Sequence, residues 1–152
     1  MTTETKIIGG IALTTILIIG AGVFLSTKPG ALPKSEVLSE KSIHWHPKLT
    51  IKINGKAQEI PKDIGIGTVH QEIHTHDKDG TIHMEMSGPV TKEEAKLGNF
   101  FKTWGKKFSS NCIFDYCNGK GEKVIMLVNG KEHMDYENYI MNDSDKIEIK
   151  YE

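Results

Sequence analysis

Six of the seven histidines in this 152-residue chain, His44, His46, His70, His74, His76 and His83, fall within forty residues, where average composition supplies about one. A neutral imidazole offers one lone pair to a metal and also gains a proton near about pH 6.5, so such a density points to a held cation or a pH-responsive surface. The densest stretch is "EIHTHDKDGTIHMEM", Glu72 to Met86. Asp79-Gly80 within it is a two-residue hairpin signal. As the whole loop it sets His76 opposite His83 and His74 opposite Glu85. A four-residue loop, Asp77 to Gly80, sets His76 opposite Thr81 and His74 opposite His83. Both loops are even in length, so both project the imidazoles to one face; a three- or five-residue bulged loop would break that parity. Opposed β-carbons lie about 4.5 to 5.5 Å apart, close enough for two rings to share a cation.

His70, Glu72, His74 and His76 share this parity, while Ile73 and Ile82 face the core. "HWH", His44 to His46, sends two more imidazoles to one side of an extended segment ahead of Pro47. The expected metal ligands are His44, His46, His74, His76 and His83. His70 is an optional ligand; Glu72, Asp77 and Glu85 either ligate or accept hydrogen bonds that orient the rings. Imidazole suits zinc, copper, nickel and iron, and without a neighbouring cysteine a thiolate zinc site is disfavoured, so the cofactor expected is a copper or zinc ion. Met84 and Met86 have the parity of packing residues, with copper(I) capture as the other use of their sulfurs. His133 stands apart and reads as a surface residue.

The elements that would position these residues follow from turn and periodicity signals. "LTIKINGKAQEI" and "VIMLVNGKEHM" each read as strand, Asn-Gly turn, strand, with turns at Asn54-Gly55 and Asn129-Gly130. "TKEEAKLGNFFKTWGKKF" opens with Thr91 and Glu94 at capping-box spacing and continues with Leu97, Phe100, Phe101, Trp104 and Phe108 on one face, which predicts a helix from Thr91 onward. Gly98 inside it predicts a close approach to a strand or an early bend. "DKIEIKYE" alternates as a final strand. The fold class expected is α+β, antiparallel β-hairpins packed on one main helix in a grasp-like arrangement.

Ile7 to Leu25 is an uncharged apolar run between Lys6 and Lys28, long enough as a helix to cross a hydrocarbon core of about 30 Å. It predicts an N-terminal membrane anchor over residues 1–25, with a cleaved signal peptide as the alternative. "STKPGALPKSEVLSEKS" then has tether composition, residues 26–42, leaving 43–152 as an extracytoplasmic domain. In such a compartment Cys112 and Cys117 suit a structural disulfide, with a metal contribution or a reactive dithiol as alternatives. Formal net charge is −1 and arginine is absent, which argues against nucleic acid as a partner and against bidentate phosphate recognition.

With "HxH" at His44 and His46, "HTHD" at His74 to Asp77, then Gly80, Ile82, His83 and Glu85, and "LGxFFxxWG" at Leu97 to Gly105, most of the exported part resembles a prokaryotic group of membrane-anchored extracytoplasmic proteins. The resemblance implies an architecture and a location, the cell membrane with the C-terminal domain outside, rather than an activity. His74 and His76 are also similar to the cupin H-x-H, but the Asp-Gly turn stands where that family has a glutamate. The functional expectation is a membrane-tethered metal-binding protein for acquisition, delivery or sensing, with a protein partner for metal transfer. The alternatives are a histidine-ligated metalloenzyme and a metal-independent interaction module.

Overall fold

Alternating apolar residues account for most of the strands. The structure, a computed structural model, describes Pro33–Glu152. The expected membrane anchor lies outside those residues; among the described ones, no helix is long and apolar enough to cross a membrane. In chain order come β1 (Val37–Ser39), β2 (Ile43–Trp45), β3 (Lys48–Ile53), β4 (Lys56–Gln58), β5 (Ile73–His74), β6 (His83–Met86) and β7 (Val90–Thr91). Helix α1 (Leu97–Trp104) follows, then β8 (Cys112–Ile113), β9 (Tyr116–Cys117), β10 (Val124–Val128), β11 (Lys131–Glu132), a 3-10 turn at Tyr136–Asn138, and β12 (Lys146–Tyr151).

The largest sheet runs β11-β10-β12-β3-β4. Both Asn-Gly hairpins form, with φ of 49° and 75° at Asn54-Gly55 and 53° and 80° at Asn129-Gly130, the left-handed pair that a type I′ turn requires. Antiparallel pairing was the expectation throughout, but the central pair β3–β12 is parallel, with Leu49 opposite Ile147, Ile51 opposite Ile149 and Ile53 opposite Tyr151. Everything from β4 to the 3-10 turn lies between these strands, ample for the crossover that parallel neighbours need. Leu49, Ile51, Ile53, Met126, Ile147 and Ile149 bury one side of the sheet in the same core as Leu97, Phe100 and Phe101 of α1.

The helix is shorter than its periodicity suggests. The Thr91–Glu94 box does close: the Thr91 amide donates to Glu94 Oε2 at 2.7 Å and the Glu94 amide to Thr91 Oγ1 at 3.3 Å. What it caps is a turn. Lys96, extended at φ −68° and ψ 138°, then bridges Ile140 antiparallel, with the Leu97 amide on the Tyr139 carbonyl (2.8 Å) and the Met141 amide on that of Ala95 (3.0 Å). Backbone groups committed to that pairing cannot join a helix, so α1 starts at Leu97. It stops at Gly105, φ 67°, leaving Phe108 beyond the helix yet stacked on Phe101 at 4.5 Å. A β-carbon on Gly98 would lie 2.8 Å from the Glu137 carbonyl oxygen; the close approach is to the 3-10 turn, not to a strand.

β1, inside the stretch with tether composition, pairs antiparallel with β7, because Val37 and Leu38 supply enough apolar surface to dock. Cys112 and Cys117 face each other across β8–β9 with sulfurs 2.11 Å apart. A separate three-stranded sheet, β2-β6-β5, carries the histidines.

Candidate metal centre

β2 runs through His46 and Pro47 into β3, so one extended segment leaves the small sheet and enters the large one. In the small sheet β6 is central. Its register with β5 sets His74 opposite His83 and Ile73 opposite Met84. This is the register of the four-residue loop rather than that of the two-residue turn. With β2 it sets His44 opposite Glu85 and Trp45 opposite Met84, and the Ile82 amide bonded to the Pro47 carbonyl at 2.9 Å continues it, placing His46 beside His83. Ile43, Ile73, Met84 and Met86 bury one face; imidazoles and Glu85 occupy the other.

The turn between β5 and β6 is fixed at several points. Asp79 accepts from the Thr81 amide at 2.9 Å and the Thr81 hydroxyl at 2.8 Å, and these hydrogen bonds hold its carboxyl below the usual range. Gly80 has φ 82° and packs so closely that a β-carbon would sit 2.2 Å from the Leu49 carbonyl oxygen. Thr75, fully buried between His74 and His76, donates to the Pro61 carbonyl at 2.9 Å and accepts from the Ile64 amide at 3.1 Å. A residue of core parity that is polar is the one sequence signal for this clamp. The clamp holds the two histidines that flank it.

His74 is the floor of the cluster, 1 % exposed. Its Nδ1 lies 3.0 Å from the Gln71 carbonyl oxygen. A carbonyl only accepts, so Nδ1 carries the proton and a neutral His74 presents its lone pair at Nε2. Burial pushes the His74 pKa below its ordinary value, against the opposing effect of the Gln71 hydrogen bond. Burial, and then the nearby His76, His46 and His74, lower that of His83. Both rings are thereby kept in the neutral form that ligates metals. Gln71 acts through its backbone, and no sequence signal marked it.

His74 Nε2 and His76 Nε2 are 3.1 Å apart. Two nitrogens bound about 2.0 to 2.1 Å from one cation stand roughly 2.9 to 3.4 Å apart at angles between square and tetrahedral. His74, His76, His83 and Glu85 each offer a ligand atom, all within 4.8 Å of one another, and His44, His46 and His83 do the same. The five histidines expected as ligands therefore gather on one sheet face. His70 stacks edge-on against His74 with centroids 4.2 Å apart but joins neither group. Glu72 and Asp77 are exposed and also lie outside both. Glu85, expected to ligate or to orient a ring, belongs to the first group and also pairs with His44, Oε1 to Nε2, at 3.2 Å. His133 packs against Tyr139 at 4.7 Å in the second hairpin and belongs to neither group. Beside His70 lies an open cavity of about 320 Å³, lined also by Glu72, Glu94, Asn99 and Thr103 and by none of the grouped ligands.

This set of imidazoles with an adjoining carboxylate has the donor chemistry of a cation site; no protein-family model, curated protein or solved structure matches the chain.

Proposed function

We propose that the protein binds a transition-metal ion, copper(II) or zinc(II), at His74, His76, His83 and Glu85, and serves in metal acquisition, delivery or sensing. The observation that carries the reading is the anchored His74: a buried ring, its tautomer set by the Gln71 carbonyl, with its Nε2 hydrogen-bonded to the Nε2 of His76 at 3.1 Å, a contact that one cation could replace. Three imidazoles and one carboxylate suit both ions, and the hydrogen-bonded ring raises ligand basicity. The domain reads as a grasp-like sheet carrying a small metal-binding sheet on the segment that enters β3. The apolar run Ile7 to Leu25 makes it a membrane-tethered protein with this domain outside the cytoplasm, where a protein partner receives or supplies the ion. Elemental analysis of the full chain, purified without added chelator, should find one copper or zinc per molecule. His74→Ala with His83→Ala should remove it. A chain purified metal-free that takes up neither ion on titration would refute the proposal.

The cavity beside His70 favours a second reading, a metalloenzyme whose substrate reaches the ion past His70. Catalysis requires a coordination position open to substrate. Cobalt(II) spectra that change on adding azide would support this, and a coordination sphere closed by protein would end it.

A further inference from the structure

The two ligand groups share one residue. His83, on the central strand, belongs with His74, His76 and Glu85 on one side and with His44 and His46 on the other. Its ring centroid lies 4.5 Å from that of His76 and 4.9 Å from that of His46. The two sides differ in what holds them. His74, alone among the inner ligands, is buried and fixed by a backbone acceptor, whereas His44 and His46 are both exposed, their rings tilted by 50° with centroids 4.7 Å apart. Ordering an exposed side chain around a cation costs rotamer entropy that a pre-fixed ring has already lost. The inner group is therefore the tighter one and the outer group the more accessible.

A neutral imidazole has a single lone pair, so a neutral His83 serves one cation at a time. Glu85 is divided in the same way, counted with the inner ligands yet held at 3.2 Å by His44 Nε2. A cation that takes His44 through Nε2 releases Glu85 toward the inner side. Resting on the metal-binding reading above, we infer that His44 and His46 form a loading station: they capture a divalent cation from solution with His83, and the ion then passes inward as His83 and Glu85 turn to His74 and His76. Ligation at His44 Nε2 displaces the proton that this nitrogen shares with Glu85, which passes to solvent or returns to the ring at Nδ1; otherwise only metal–ligand contacts change, and no oxidant or reductant is needed. Capture within one sheet face makes the second binding step intramolecular, and a high effective concentration speeds filling of the inner site.

The test is cobalt(II) loading of the full-length chain, followed by stopped-flow absorbance and by equilibrium titration. Wild type should bind one tight equivalent. His44→Gln with His46→Gln should leave the final spectrum and equilibrium affinity within about threefold while slowing loading about tenfold. His74→Ala should instead weaken equilibrium binding by about 100-fold. Circular dichroism of each variant separates loss of fold from loss of ligand. Loading of the glutamine variant at the wild-type rate would overturn the inference. So would a loss of affinity equal to that of His74→Ala, meaning a single five-histidine site, or two tight equivalents in wild type, meaning a binuclear centre. A wild-type chain that binds no cobalt at all would instead strike the metal-binding reading beneath it.

Discussion

His74 and His83 stand directly opposite each other across β5 and β6, with ring centroids 5.4 Å apart and planes within 14° of parallel. Opposed residues of an antiparallel pair share a face, so neither ring can turn to the core without breaking the strand pairing that Ile73 and Met84 stabilise on the other side. With His74 tied to Gln71, His83 and His76 are the movable partners. The point where a cation would sit is set by the fixed ring.

Single substitutions should rank accordingly. His74→Ala should lower zinc or copper affinity by about 100-fold and His133→Ala should leave it unchanged, as read by equilibrium dialysis. At a free-metal concentration about 100 times the dissociation constant, bound metal should add about 2.7 kcal/mol of stability, lost on chelation. Equal effects at positions 74 and 133 would show that the ion is held elsewhere.

The metal-free chain should lose stability in mild acid. His74 and His83 have folded-state pKa values below the ordinary 6.5. The unfolded chain therefore binds protons first as pH falls. Their contribution is fully present above about pH 6.5 and declines as pH drops from there through the lowered folded values. Urea midpoints measured with chelator present should be lower at pH 5 than at pH 7.5, and His74→Ala should reduce the difference. A midpoint that rises on acidification would contradict the sign.

Gly80→Ala should destabilise the chain by about 1 to 3 kcal/mol, because φ 82° is strained for any β-carbon and this one would meet the Leu49 carbonyl. The same change should weaken metal binding, since the turn at Gly80 sets the β5–β6 register. Gly55→Ala, with φ 75° but open space around it, should affect stability without touching the ion. Chemical denaturation paired with metal titration separates the two effects.

At the end of the large sheet where β3 and β12 begin, Tyr139 donates to Asp145 at 2.6 Å, and Asp145 also accepts from the Asn142 amide and the Asn129 side chain. Burial, reinforced by the Asp145 carboxylate, pushes the Tyr139 pKa from 10.0 up to about 12. A raised folded value stabilises below the unfolded pKa and is lost as pH climbs through the folded one, here between about 10 and 12. Tyr151 is also raised, by burial and the nearby Glu122, so alkaline titration at 295 nm should show late tyrosine absorbance of which Tyr139→Phe removes one residue's worth; an unchanged late phase in that variant would refute the assignment.

Much of this arrangement was already determined by local chemistry. Asn54-Gly55 and Asn129-Gly130 form their turns because left-handed φ values select those residues. The alternation of histidine with Ile73, Ile82 and Met84 sent the imidazoles to one face under either even-length loop. The choice between loops was not local. Gly80 packs against Leu49 and Thr75 against Pro61 and Ile64, contacts that exist only once β3 and the 61–64 segment are in place, and they select His74 opposite His83. The same holds for β2 beside β6, the parallel β3–β12 pair, and the late start of α1 against Tyr139 and Met141. Side-chain parity is a property of consecutive residues, so the sequence carries it; register and sheet order depend on which distant backbone groups find partners, which only the assembled core decides.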